Sequence, residues 1–74
     1  MALYKVSRCR LRSLLADRKM SMRELERMTG ISYSALRRYA DTERLMPLDK
    51  AYSVMIVLNI DRIEDLYDFE PYIK

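Results

Sequence analysis

Apolar side chains recur at intervals of three and four residues through most of the 74-residue chain, the spacing of amphipathic helices. Leu11, Leu14 and Leu15 follow this spacing and predict a first helix that begins at residue 7 or 8 and ends at residue 19. Residues 2–6 are β-prone instead. We expect an extended arm or a short strand over residues 1–6.

Capping signals mark a second and a third helix. Ser21 and Glu24 form a capping box, in which each side chain accepts a hydrogen bond from the backbone N–H of the other residue. Gly30 ends this second helix, since glycine adopts the left-handed conformation without steric cost. Ser32 is a new N-cap for a third helix over residues 33–40. The pattern predicts a helix, a tight turn and a helix over about residues 21–40.

Two further helices are expected in the second half of the chain. Pro47 is placed to open a fourth helix that ends near residue 59. Asp61 and Glu64 have the spacing of another capping box and predict a short fifth helix, which Pro71 ends. The fold class is therefore all-α, with five helices in one domain over residues 1–74, and the two chain ends are candidates to pair as short β-strands.

Composition excludes most catalytic chemistry. The chain contains no His, and its single Cys9 has no second thiol for a disulfide or a Cys-rich zinc site. No carboxylate pair, activated nucleophile or phosphate-cradling loop is evident. We expect no enzyme activity, cofactor, metal or small-molecule ligand. Without a signal peptide or a membrane-length apolar run, we expect a cytoplasmic protein that contacts no membrane.

Charge is segregated along the chain. Residues 1–44 carry eleven basic and five acidic side chains, whereas residues 45–74 carry three basic and six acidic ones. The net charge of the two parts is thus +6 and −3. A basic region suggests a surface for a polyanion. The alternative is that the arginines only solvate helix faces.

The third helix has two distinct faces at 100° per residue. One arc carries hydroxyl and guanidinium groups: Tyr33, Ser34, Arg37 and Arg38. The opposite arc is apolar: Ala35, Leu36, Tyr39 and Ala40. Arginine fits the N7 and O6 acceptors of guanine, so the first arc suits a helix that lies in a DNA major groove. Two alternatives stay open: surface arginines without a DNA role, and a Tyr33 ring that stacks on the core.

Residues 20–25 (MSMREL) and 29–36 (TGISYSAL) resemble the helix-turn-helix of phage repressor and Cro proteins, the XRE-like family of bacterial and phage transcription regulators. The likeness continues through residues 48–51, 58–61 and 65–67. It covers roughly residues 10–68. It implies a repressor-like fold and DNA binding on the bacterial nucleoid, with the second helix of the motif in the major groove and the first across the phosphate backbone.

The resemblance also implies roles for individual residues. The residues facing base edges would be Tyr33, Ser34, Arg37 and Arg38. The residues meeting phosphate or backbone would be Ser21, Met22, Arg23 and Ser32. Arg44, in the loop after the third helix, is a further candidate for backbone contact.

Three positions depart from the family pattern. Met22 stands where a Gln commonly holds a phosphate, so helix-end N–H groups and Arg23 must carry that contact. Glu26 stands where a small Ala usually lets the helices approach; its carboxylate either turns to solvent or pairs with an arginine. Ala40 faces Leu15 where an ion pair is common, and an apolar contact there should be tolerated.

The fourth helix is apolar nearly all round and must be covered on more than one side. We predict a two-fold homodimer formed by the acidic, apolar residues 47–74, with Tyr52, Ile56 and Phe69 in the interface. The third helices of the two copies would then contact DNA half-sites about one helical turn apart. The alternative is that the N-terminal arm and the tail of residues 69–73 fold over this helix within one chain.

Three functions follow from these patterns. The leading one is sequence-specific double-stranded DNA binding by a transcriptional regulator, a repressor in the first instance. The second is a protein-binding module on the same fold, such as an antirepressor or antitoxin, that acts through the apolar C-terminal face. The third is non-specific nucleic-acid binding.

Overall fold

A computed structural model describes residues 3–72. Its elements are, in chain order, β1 (Tyr4–Cys9), α1 (Leu11–Asp17), α2 (Met22–Thr29), α3 (Tyr33–Ala40), α4 (Leu48–Val57), a 3-10 helix (Ile63–Asp65) and β2 (Tyr67–Pro71). The expectation of an all-α protein with five helices therefore needs correction. The described residues form four α-helices and a two-stranded antiparallel sheet. None of these helices is long and apolar enough to span a membrane.

The predicted terminal strands exist and pair within the chain. Tyr4 lies opposite Pro71 and Cys9 opposite Tyr67, with an irregularity in the register between Val6 and Arg8. The strand β1 is longer than the predicted arm, so the first helix begins at Leu11 rather than at residue 7 or 8. The reason is that β2 provides hydrogen-bond partners for the backbone of residues 4–9, which an isolated helical turn there would lack.

Ion pairs across the sheet bring the basic and acidic parts of the sequence together. Lys5 pairs with Glu70 at 3.4 Å. Arg8 and Arg10 both contact Asp68, at 3.3 and 2.9 Å. The segregation of charge along the chain is therefore partly cancelled in space, because three basic side chains at the start of the basic region pair with two carboxylates of the acidic region.

The helices α2 and α3 begin and end as the sequence predicts. The Ser21 hydroxyl accepts from the Glu24 N–H at 3.0 Å, and the Glu24 carboxylate accepts from the Ser21 N–H at 3.1 Å. Gly30 ends α2 with a φ of 78°, and Ser32 caps α3 by accepting from the Ala35 N–H at 3.2 Å. These contacts fix the turn between the two helices at both ends.

The chain after α4 differs from the prediction. Pro47 is the N-cap of α4, and this helix ends at Val57. No Asp61 capping box forms: the backbone of Arg62 is extended at the N-cap position, and its guanidinium contacts Glu64 at 3.3 Å. Only the three-residue 3-10 helix follows, because the chain must extend again at Tyr67 to pair with β1.

The core lies where all four helices and the sheet meet. Its fully buried side chains are Leu11, Leu25, Leu36, Val54, Leu58 and Leu66. Leu15 and Ala40 are buried in the same core, so apolar groups occupy both positions where the family pattern has an ion pair. The apolar arc of α3 thus packs in the core, and the opposite arc of α3 faces outward.

Two hydrogen bonds tie the sheet to the loop that follows α3. The Met46 N–H donates to the Tyr67 hydroxyl at 3.1 Å, and the Cys9 N–H donates to Thr42 Oγ1 at 3.0 Å. Burial raises the pKa of Tyr67 to about 12 and also raises the pKa of the Cys9 thiol. The sheet therefore holds the loop after α3 through one buried and one partly buried hydrogen bond between neutral groups.

Candidate nucleic-acid interface

The two arcs of α3 are divided as the sequence predicts. Leu36, Tyr39 and Ala40 are buried, and Ala35 packs against the core. The outer arc is Ser34, Arg37 and Arg38, all exposed, together with the half-buried Tyr33. This outer arc, called the α3 outer face below, therefore presents hydroxyl and guanidinium donors to solvent.

The charges of Arg37 and Arg38 are available to a ligand. Among residues 3–72, neither side chain forms an ion pair or a side-chain hydrogen bond. The nearby acid Asp41 is instead bound by Arg12, whose Nε and Nη2 donate to one carboxylate oxygen at 3.1 and 2.8 Å. The α3 outer face thus carries two guanidinium groups that form no ion pair within residues 3–72, which suits a polyanion. The carboxylates of Asp41 and Glu43 border the same surface.

The start of α2 offers backbone donors more than side chains. Ser21 uses its hydroxyl oxygen in the capping box, and Met22 is half-buried and packs against the core. The N–H groups of the first helical turn have no intrahelical partner and lie at the positive end of the helix dipole. Met22 is therefore placed to offer its backbone N–H rather than its thioether to a phosphate.

Glu26 connects the two helices of the motif. Its Oε2 accepts from the Tyr33 N–H at 3.0 Å, and its Oε1 accepts from Arg23 Nη1 at 3.3 Å. Of the two outcomes expected for this carboxylate, pairing with an arginine is therefore found. The bond to Tyr33 was not predicted, because it depends on how α2 and α3 cross. A carboxylate at a position that is usually small was the only signal in the sequence.

Tyr33 lies beneath Arg23 rather than in the core. The Arg23 guanidinium carbon stands 4.1 Å from the centre of the Tyr33 ring, a cation–π contact. The ring is half-buried. Arg23, Glu26 and Tyr33 thus form one connected group at the junction of α2 and the α3 outer face.

The other predicted contact residues lie around this surface. Ser32 is exposed, and its hydroxyl oxygen caps α3. Arg44 is exposed in the loop after α3, and its backbone N–H donates to the Arg38 carbonyl at 3.4 Å. Both residues therefore adjoin the α3 outer face, one at each end of the helix.

The residues predicted for a dimer interface lie on two different elements. Tyr52 and Ile56 lie four residues apart on α4 and are 65% and 61% exposed. Leu48, which was not predicted for the interface, lies four residues before Tyr52 and is 86% exposed. We call these three residues the α4 stripe. Phe69 lies on β2 and is 41% exposed. The arm and tail pair with each other in the sheet and leave the α4 stripe uncovered within the described chain.

Comparison with known protein families agrees with this geometry. Residues 10–72 match the family described as the Cro/C1-type HTH DNA-binding domain. No curated protein and no solved structure matches the chain significantly. The family match covers most of the sequence, including α2, the turn and α3, so the chain belongs to the Cro/C1-type helix-turn-helix DNA-binding domains.

Proposed function

We propose that the protein binds double-stranded DNA at a specific sequence and regulates transcription, with α3 in the major groove. The observation that carries this proposal is the α3 outer face, on which Arg37 and Arg38 are exposed and without an acidic partner among the described residues. An arginine free of such a partner is able to donate two hydrogen bonds to one guanine.

The proposed contacts divide into base and backbone contacts. Arg37, Arg38, Ser34 and Tyr33 are the residues proposed to face base edges. Those proposed to meet the sugar-phosphate backbone are Ser21, Met22, Arg23, Ser32 and Arg44. Base contacts set the sequence preference, whereas backbone contacts fix the orientation of the domain and supply affinity for any sequence. A domain bound in this way excludes other proteins from its site, so we propose repression as the outcome.

We further propose that the protein acts as a two-fold homodimer in which the α4 stripe meets its copy. A stripe of three large apolar side chains is self-complementary under two-fold symmetry, because each residue can meet the same or a neighbouring residue of the copy. Phe69 is proposed to extend this interface from β2. The two α3 helices would then read half-sites about 34 Å apart.

The dimer is tested by light scattering after size exclusion. We expect a dimer for the wild type at tens of micromolar and a monomer for Ile56→Lys, because the new charge would be buried in the interface. The matched control is Ile63→Lys, which places the same charge at an exposed apolar residue of the 3-10 helix. A monomeric wild type, or a dimeric Ile56→Lys variant, contradicts the proposed interface.

The DNA proposal is tested by selecting bound sequences from a random duplex pool. A recovered consensus of two related half-sites is expected. Binding with strong salt dependence but no consensus would indicate non-specific binding instead. Weak binding of every duplex, together with a tight protein partner, would favour the protein-binding module.

A further inference from the structure

Glu26 makes two contacts, and both of them act on Tyr33. Its side chain is 32% exposed, so it is partly shielded where it lies between α2 and α3. One oxygen holds the backbone N–H of Tyr33, the first residue of α3. The other oxygen holds Arg23, whose guanidinium covers the ring of Tyr33. Both the backbone and the ring of Tyr33 are therefore fixed through one carboxylate.

The charge of Glu26 is unfavourable for DNA binding in general. A carboxylate at the junction of the two helices that face DNA repels phosphate and neutralises part of the charge of Arg23. A neutral residue there would give higher affinity for any duplex. The contacts to Tyr33 supply a compensating role, since Tyr33 opens the α3 outer face.

We propose that Glu26 is a positioning residue for sequence recognition: it fixes Tyr33 against bases and lowers affinity for DNA of any sequence. This inference rests on the function proposed above. The proposed role of Glu26 differs from that of a simple helix cap, because a cap would stabilise α3 without changing which DNA sequences are preferred. The measured quantity is the selectivity ratio, the affinity for the selected sequence divided by the affinity for a random duplex.

Three variants separate the effect of the Glu26 charge from the effect of its contacts to Tyr33. Glu26→Ala removes the charge and both contacts. Glu26→Gln removes the same charge, but its amide oxygen is still able to accept from the Tyr33 N–H. The control is Glu24→Gln, which removes one charge from the same helix and keeps the capping box, because Gln serves as well as Glu at that position.

The expected results differ between the two measured affinities. All three variants bind a random duplex more tightly than the wild type, by similar factors, because each loses one negative charge. The selectivity ratio is unchanged in Glu24→Gln and falls about fivefold in Glu26→Ala, the effect of losing one hydrogen bond between Tyr33 and a base. Glu26→Gln lies between these two values. Equal ratios in Glu26→Ala and Glu24→Gln would show that Glu26 is only a cap.

A second comparison tests whether the effect passes through Tyr33. In a Tyr33→Ala background, Glu26→Ala is expected to leave the selectivity ratio unchanged, since no ring remains to be positioned. A further drop of the same size would overturn the assignment. The two proposals fail in different ways. A wild-type protein without sequence preference refutes both the proposed function and the role of Glu26. A selective wild-type protein with an equally selective Glu26→Ala variant refutes only the role of Glu26.

Discussion

Arginines occur in two regions of this protein and have different surroundings in each. On β1 and just after it, Arg8 and Arg10 share the carboxylate of Asp68. On α3, Arg37 and Arg38 are exposed without an acidic partner in residues 3–72. The sequence counts all four equally toward a basic region. Only the fold separates arginines that are paired with a carboxylate from arginines without such a partner.

The difference has a physical consequence for DNA binding. Binding a polyanion releases counterions for each positive charge that meets a phosphate, and an arginine already paired with a carboxylate contributes less. Exposed ion pairs in turn add only about 0 to 1 kcal/mol each to stability. The sheet arginines are therefore expected to matter little for DNA recognition, and the α3 arginines little for folding.

The largest effect on stability is expected at Tyr67, which lies in the sheet and away from the α3 outer face. Tyr67 ionises near pH 10 when unfolded, whereas its pKa in the folded protein is about 12. The stabilisation is complete below pH 10 and is lost as pH rises to 12, because only the unfolded state then releases the proton. We expect this loss to reach about 3 kcal/mol of unfolding free energy.

Urea denaturation at several pH values measures this loss. Tyr67→Phe should reduce the alkaline loss and leave a part that comes from the Cys9 thiol, whose pKa is also raised by burial. It should also cost about 1 to 3 kcal/mol at neutral pH because the buried Met46 N–H loses its acceptor. Its DNA sequence preference should stay that of the wild type. An alkaline loss of the same size in both proteins would contradict the role given to Tyr67.

A smaller effect is expected from Asp68→Asn, which removes the carboxylate that distinguishes the sheet arginines from those of α3. The substitution frees Arg8 and Arg10 without altering the α3 outer face. Unfolding free energy should fall by at most about 1 kcal/mol, because all three side chains are at least one third exposed. Affinity for random duplex should rise slightly, and the selectivity ratio should not increase. A raised ratio would place the sheet arginines in the recognition surface.

The α2–α3 region could be predicted from sequence because its signals are local. The Ser21–Glu24 capping box, Gly30 and the Ser32 cap each act within four residues. The division of α3 into two faces follows from helical geometry alone. The residues of the α3 outer face were therefore identifiable before any tertiary structure was known.

The errors arose where distant residues decide the local structure. Residues 7–10 lie at the end of β1 and just after it, because β1 pairs with a strand whose residues are 58 to 67 positions further along the chain. That strand also shortens the predicted fifth helix. The link from Glu26 to Tyr33 spans seven residues and two helices. None of these contacts has a periodic signature in the sequence.

Arg37 and Arg38 are proposed to recognise the DNA sequence, whereas Arg8 and Arg10 are not. The most direct test compares two double variants with the same loss of charge, Arg37→Ala/Arg38→Ala and Arg8→Ala/Arg10→Ala, by titration against the selected sequence and a random duplex. We predict that the first loses sequence preference, at about 1 to 3 kcal/mol for each arginine that contacts guanine. The second should keep the selectivity ratio of the wild type. Equal losses of this ratio in both variants would contradict the account.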